Sequence, residues 1–131
     1  MDQQLHRMIV SLGSNTPDRA EQMACALEWL KGRFWVECAS PVYNTRAWRS
    51  NAPDYLNQVV VMQAGGSPAR VQALCKDYEQ AHGRTPEAKR CGLVSIDLDL
   101  MWSDGQWLRP HERELPYFAQ GYAEVENFLS K

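Results

Sequence analysis

Hydrophobic and polar residues alternate most regularly between Val94 and Trp102. Side chains of a strand repeat with a period of two, so this stretch predicts one β-strand with a single apolar face. The apolar face would carry Val94, Ile96, Leu98, Leu100 and Trp102, and the opposite face would carry Ser95, Asp97, Asp99 and Met101. The strand therefore needs a hydrophobic core on one side and places two acidic side chains together on the other.

The two aspartates of this strand form a candidate metal site. Asp97 and Asp99 would lie roughly 7 Å apart, because a strand rises about 3.3 Å per residue. Carboxylates at this spacing repel each other unless a cation lies between them, and Mg²⁺ prefers such oxygen ligands. The alternative is a solvated sheet face with two ordinary surface aspartates. The metal interpretation requires that the carboxylates converge and that no lysine or arginine of the protein itself neutralises them.

Three further strands are predicted by short apolar runs at 8–12, 34–43 and 55–63. Two helices with apolar stripes lie between them. The first follows the first strand and ends at Gly32, and the second has Ser67 as its N-cap and Pro68 as its first residue. The resulting order is strand, helix, strand, strand, helix, strand.

That order predicts an α+β fold of the ferredoxin-like type. Its expected form is a four-stranded, mostly antiparallel sheet with two helices on one face. The aspartates would then lie on the open face of the sheet. Polar loops at 44–54 and 84–92 would border this face, and a short helix is expected at 123–129.

Length and composition narrow the class of protein. A chain of 131 residues and 15.0 kDa predicts one domain over residues 1–131. The net charge of −2 and the pI near 5.9 argue against a dedicated nucleic-acid binder. No long apolar run opens the chain, so we expect no signal peptide, no membrane span and a cytoplasmic location. The cysteines include no C-x-x-C pair, which argues against a zinc site or a disulfide scaffold.

Two other groups of residues suit a ligand. Arg84, Lys89 and Arg90 precede the aspartate strand and suit a polyphosphate, although solvated surface charge is the ordinary explanation. Tyr55 and Asn57 share one face of the third strand. An aromatic plane beside an amide that both donates and accepts suits a flat heteroaromatic ring. The ordinary alternatives are a core or rim aromatic for Tyr55 and a turn or strand-edge residue for Asn57.

Several short motifs together have a specific pattern. They are Leu12-Gly13-Ser14-Asn15, Tyr43-Asn44-Thr45, Pro53-Asp54-Tyr55-Leu56-Asn57, Glu79 with Gly83-Arg84, and Ile96-Asp97-Leu98-Asp99-Leu100. In this order and spacing the chain resembles 6-hydroxymethyl-7,8-dihydropterin pyrophosphokinase. Members of this folate-pathway family move a diphosphate from ATP to a pterin alcohol.

The resemblance implies a role for each group. Asp97 and Asp99 would bind two Mg²⁺ ions between ATP and the hydroxymethyl oxygen of the pterin, with Glu79 beside the substrates. Arg84 would touch the phosphates and, with the two aspartates, make up the catalytic residues; Lys89 and Arg90 would add phosphate contacts.

The same resemblance implies how the pterin is bound. Tyr55 and Tyr122 would lie on the two faces of the ring. Asn57 and the backbone near Thr45 would read its polar edge.

Several positions depart from the family pattern. Among them, Val94 stands where the family carries an arginine, Cys91 where it carries a tryptophan and Tyr117 where it carries a histidine. Two hypotheses therefore stay open. One is an active enzyme that uses ATP, Mg²⁺ and hydroxymethyl-dihydropterin, as a monomer or weak homo-oligomer. The other is a non-catalytic descendant that binds a pterin, a nucleotide or a protein. An RNA-binding ferredoxin-like module is disfavoured, because such a sheet presents aromatic and basic residues rather than aspartates.

Overall fold

The structure is a computed structural model that describes residues 4–47, 51–83 and 86–129. Its elements in chain order are β1 Leu5–Ser14, α1 Arg19–Arg33, β2 Trp35–Ala39, β3 Tyr43–Thr45, β4 Tyr55–Gly65, α2 Pro68–Ala81, α3 Pro86–Arg90, β5 Asp97–Ser103, β6 Gln106–Trp107 and α4 Pro116–Leu129. The α+β class is confirmed. The part of the chain described here holds no helix that is both long and apolar enough to cross a membrane.

All strands belong to one antiparallel sheet. The main order is β2-β4-β1-β5-β6, and β3 pairs with β4 beyond the end of β2. The expectation of four strands is wrong, since the described residues form six strands in this sheet. One added strand comes from the predicted strand at 34–43, which divides into β2 and β3 around Ser40 and Pro41. The other is β6, which forms a short hairpin with the end of β5.

Two hydrophobic cores lie on opposite faces of the sheet. The larger core packs α1 and α2 against one face and contains Met8, Val10, Leu12, Leu98 and Leu100. The smaller core packs α4 against the other face and contains Ile9, Val59, Val61, Met101, Phe118 and Val125. The prediction that the second face is open is therefore wrong where α4 packs against it.

The close approach of α4 depends on a glycine. A Cβ added at Gly121 would lie 2.6 Å from Tyr43 Oη and 2.6 Å from Val59 Cγ2, both on the sheet. Contacts this short do not occur in real proteins, so the helix backbone rests directly on β3 and β4. The helix is also longer than the expected 123–129.

A β-bulge changes the face of Trp102. Ile9 pairs with Trp102 but Val10 pairs with Leu100, so Met101 is an extra residue on β5. Met101 and Trp102 consequently both pack in the smaller core, and the prediction that Trp102 shares the face of Leu98 and Leu100 is wrong.

The helix termini follow the sequence signals in part. Ser67 caps α2 as predicted, since its hydroxyl accepts a hydrogen bond from the Arg70 N–H at 3.2 Å. The first helix runs one residue past Gly32. The predicted loop at 84–92 contains the short helix α3.

Candidate active site

The register of the sheet brings the two predicted groups to the same end of one face. Gly13 of β1 pairs with Asp97 on one side and with Asn57 on the other. Ser11 pairs with Asp99 in the same way. Directly paired residues project from the same face of an antiparallel sheet. The aspartates of β5 and Asn57 of β4 therefore project from one face, on either side of β1.

The two aspartates converge, and a third carboxylate joins them from α2. Ligand oxygens of Glu79, Asp97 and Asp99 all lie within 4.8 Å of one another. Glu79 is buried, with an exposed fraction of 1%. Its Oε2 accepts a hydrogen bond from the Leu98 N–H at 2.7 Å, and Lys76 Nζ lies 3.7 Å from its Oε1. We call these three residues the acidic cluster.

Helix α2 also holds the edge of β5 through Gln72. The Gln72 side chain donates to Leu98 O at 3.0 Å and accepts from the Leu100 N–H at 2.8 Å. A side-chain amide carries a donor group and an acceptor group, as a backbone peptide does. The Gln72 amide therefore makes the two hydrogen bonds that a neighbouring strand would make at this edge of β5. With the Glu79 contact to Leu98, α2 fixes the strand on which the two aspartates lie.

The electrostatics of Asp99 reflect this crowding. Burial, and then the charge of neighbouring Asp97, raise the pKa of Asp99 to about 7. The Arg109 guanidinium opposes this effect, because its Nη2 lies 3.2 Å from Asp99 Oδ1. The carboxylates thus converge as the metal interpretation requires. The second requirement fails for one oxygen of Asp99, which an arginine of the chain already contacts.

Arg109 belongs to a polar chain that the sequence analysis missed. Its Nη1 donates to Glu112 Oε2 at 2.9 Å, and the Tyr117 hydroxyl donates to the other oxygen of Glu112. Burial alone would raise the pKa of Glu112, but the hydrogen bonds from Tyr117 and Arg109 bring it below its ordinary value. Burial, followed by the Glu112 contact, raises the pKa of Tyr117. No periodicity in the segment before α4 marks Arg109, so only its position in space identifies it.

The Asn57 group lies on the other side of β1. Asn57 is buried, and its Nδ2 donates hydrogen bonds to Thr45 Oγ1 at 2.6 Å and to Tyr43 O at 3.5 Å. A Cβ at Gly13 would lie 3.4 Å from Asn57 Oδ1 and 3.6 Å from Tyr55 Cδ2. Thr45, Tyr55 and Asn57 are therefore neighbours, and Gly13 of β1 lies beside Tyr55 and Asn57.

Asn15, the last residue of the Leu-Gly-Ser-Asn motif, has a structural role. It is fully buried, and its Nδ2 donates to Gly92 O at 2.9 Å and to Pro53 O at 3.3 Å. Its Oδ1 accepts from the Val94 N–H at 2.5 Å, and its own N–H donates to Val94 O at 3.0 Å. One amide thus ties the segment before β4 to the segment before β5, on both sides of the candidate site.

The structure gives less information about the remaining predicted site residues. Arg90 is exposed at the end of α3. Arg84 and the side chain of Lys89 lie outside the described part of the structure. Tyr122 stacks on Phe118 at 5.5 Å and meets Trp107 edge-on at 5.3 Å, in the smaller core. That it faces a pterin ring stays a prediction.

Fold and site together define an α+β protein with a buried acidic cluster and a buried amide at one end of an antiparallel sheet. Residues 9–125 match the sequence model of the 7,8-dihydro-6-hydroxymethylpterin-pyrophosphokinase family. The chain belongs to this family, and the resemblance seen in the sequence is confirmed.

Relatives of known function agree with this assignment. The 2-amino-4-hydroxy-6-hydroxymethyldihydropteridine pyrophosphokinase of Methylorubrum extorquens is 31% identical over 114 residues, which cover 85% of this chain and 72% of the relative. The protein of the same name from Porphyromonas gingivalis is 32% identical and covers 82% of this chain and 77% of the relative. The Synechocystis protein is 28% identical, and its alignment covers 88% of this chain and 60% of the relative.

Among solved structures, a dinuclear metal binding peptidase from Bacillus subtilis aligns with 75% of the chain at 17% identity and a TM-score of 0.33. That similarity is too low to support an argument about fold or function.

Proposed function

We propose that this protein is a Mg²⁺-dependent pyrophosphokinase of folate biosynthesis. It would transfer the diphosphate of ATP to 6-hydroxymethyl-7,8-dihydropterin. The hydroxymethyl oxygen forms a bond to the β-phosphorus, the bond from that phosphorus to the α,β-bridging oxygen breaks, and AMP leaves. The observation that carries the proposal is that the acidic cluster and the Asn57 group lie at one end of the same sheet face.

The donor set of the acidic cluster suits the metal. Three carboxylates in close contact offer hard oxygen ligands, and burial together with the charge of Asp97 raises the pKa of Asp99. Asp97 and Asp99 would hold the metal, with Glu79 against the same strand. Bound Mg²⁺ would supply neutralisation of the charge on the transferred phosphate.

The protein's own part in such a reaction is positioning. Phosphoryl transfer needs in-line placement of the two substrates more than a protein base. Gln72 and Glu79 hold the aspartate strand through its backbone, and Asn15 holds the two flanking segments. Asn57, fixed by Thr45, would present its amide to the pterin edge with Tyr55 beside the ring, and Tyr122 would complete the ring site.

The overall arrangement supports the same conclusion. The four long strands follow the order β2-β4-β1-β5 with α1 and α2 on one face, which we infer to be a ferredoxin-like sheet extended by β3 and β6.

We further propose that Arg84, Lys89 and Arg90 contact phosphates. The protein would act in the cytoplasm on small molecules, as a monomer or weak homo-oligomer and without nucleic acid.

A second candidate function is a non-catalytic protein that binds a pterin, a nucleotide or another protein. The contact of Arg109 with Asp99 favours it, because an internal cation then occupies one metal-facing oxygen. The tyrosine hydroxyl at position 117 is likewise engaged by Glu112.

Release of AMP separates the two functions. Purified protein is incubated with ATP, Mg²⁺ and hydroxymethyl-dihydropterin, and AMP is measured by chromatography. We expect pterin-dependent AMP in the wild type and its loss, by about a thousandfold or more, in Asp97→Asn and in Asp99→Asn. Asp77→Asn is the matched control, because Asp77 is an exposed residue of α2. Ligand binding without AMP release would establish the binding protein instead, and full activity in both aspartate variants would refute the metal site.

A further inference from the structure

The contacts of Arg109 set it apart from the other basic side chains near the acidic cluster. It lies in the segment between β6 and α4, and its two terminal nitrogens have different partners. Nη1 contacts Glu112 and Nη2 contacts Asp99. The side chain is 36% exposed, so the guanidinium lies at the solvent side of the site rather than inside the core.

Two described cations form ion pairs with the acidic cluster. Three carboxylates, Glu79, Asp97 and Asp99, lie together, and the ion pairs described for them come from Lys76 and Arg109. Lys76 contacts Glu79 from the α2 side. Of these two cations, Arg109 contacts an aspartate of β5. An anionic ligand held at the aspartates would therefore meet this guanidinium.

We propose that Arg109 is a phosphate-binding residue of this site and supplies the cation that position 94 lacks. Glu112, itself hydrogen-bonded by Tyr117, holds the guanidinium through Nη1. The other terminal nitrogen, Nη2, exchanges its contact with Asp99 for a phosphate oxygen when a nucleotide binds. The inference rests on the proposed function, because it assigns a residue to the nucleotide of that reaction.

The chemistry of arginine suits this exchange. Its planar fork can bind two acceptors at once, which a lysine ammonium on a flexible stem does less well. Release of Asp99 Oδ1 would also leave that carboxylate free to bind a metal. The same shift of the Arg109 guanidinium would thus allow both the phosphate and the metal to bind. Val94 cannot take this role, since its side chain is apolar and its backbone is held by the Oδ1 and the backbone N–H of Asn15.

The test measures nucleotide binding rather than turnover. Isothermal titration with α,β-methylene-ATP and Mg²⁺ is compared with titration of AMP, which lacks the β- and γ-phosphates. We expect Arg109→Gln to bind the triphosphate analogue roughly 10- to 100-fold more weakly and AMP with unchanged affinity, because a charged hydrogen bond is lost only for the longer phosphate. Arg109→Lys, which keeps the charge, should fall between the wild type and Arg109→Gln.

Arg113→Gln is the matched control. Arg113 is four residues away, exposed, and lies 4.3 Å above the Trp107 ring instead of at the cluster. It should bind both ligands as the wild type does. Thermal unfolding of each variant checks that the fold is kept. The assignment is overturned if Arg109→Gln binds the analogue as tightly as the wild type or more tightly, or if it loses analogue and AMP equally.

The binding test and the AMP assay together distinguish failure of this assignment from failure of the proposed reaction. Wild type that binds the analogue in an Arg109-dependent way but releases no AMP from ATP would remove the reaction and keep the assignment. Wild type that is active while Arg109→Gln retains full affinity would remove the assignment and keep the reaction.

Discussion

The two ends of one sheet face differ in the residues that project from them. At one end, Ile9, Val61 and Met101 are buried with α4 in a hydrophobic core. At the other end, Asn57 and Asp97 project from the same face on either side of Gly13. The row between the two ends is mixed, because Ser11 pairs with Val59 of the core and with Asp99. We infer that the apolar end mainly stabilises the fold and that the carboxylate end mainly binds ligands.

Gly121→Ala should have the largest effect on stability. The added methyl would meet Tyr43 and Val59 at 2.6 Å, so α4 must shift away from the sheet. We expect a loss of about 2–4 kcal/mol in the free energy of unfolding, as for other overpacked or displaced cores. Denaturant unfolding measures it. Gly32→Ala is the control, because a Cβ there has nothing within 4 Å. Equal stability of the two variants would contradict the close packing of α4.

Mg²⁺ should stabilise the carboxylate end. A ligand that binds only the folded state at a hundred times its Kd adds about 2.7 kcal/mol to the free energy of unfolding. We therefore expect Mg²⁺ with α,β-methylene-ATP to raise the thermal midpoint of the wild type. The increase should be lost in Asp97→Asn and kept in Asp77→Asn. An equal increase in all three proteins would place the bound metal elsewhere.

Gln72→Ala should weaken the support of the aspartate strand. It removes both the donor and the acceptor that meet Leu98 and Leu100, at a cost of about 1–2 kcal/mol. If α2 positions the aspartates, AMP release should fall further than in Gln80→Ala, whose side chain is exposed on the same helix. Unchanged stability and activity would show that β5 holds its position without this contact.

The smallest effect is expected at the ion pair of Arg7 and Glu37, near the C-terminal end of α4. Arg7 Nε lies 2.8 Å from Glu37 Oε1, and the guanidinium lies 5.5 Å from the Phe128 ring centroid. The Arg7 hydrogen bond lowers the pKa of Glu37 below its ordinary value of 4.5. The unfolded state then binds more protons than the folded state near and below that value, so the pair's contribution is present at neutral pH and is lost on acidification.

Glu37→Gln tests this pH dependence. We expect it to cost up to about 1 kcal/mol at pH 7, and the difference from the wild type should shrink as the pH falls through and below 4.5. Glu28→Gln is the control, because Glu28 and Lys31 form an exposed pair on α1. A difference between Glu37→Gln and the wild type that does not change with pH would rule out the ion pair as its source.

Local patterns in the sequence were sufficient for part of this structure. The period of two placed Asp97 and Asp99 on one face, because alternation is a property of the strand itself. Ser67 and Pro68 marked the start of α2, since capping depends on a few adjacent residues. The motifs of the chain also identified the family, which the match over residues 9–125 confirms.

The tertiary structure decided what surrounds those residues. Glu79 joins the aspartates from another element, Asn15 binds Gly92 and Val94 across the chain, and α4 packs on the face that was expected to be open. Arg109 reaches Asp99 only because β6 turns the chain back along β5. These contacts join residues whose spacing carries no periodic signal. A one-dimensional pattern specifies the direction of a side chain along its own strand or helix, but it does not specify which distant residue packs against it.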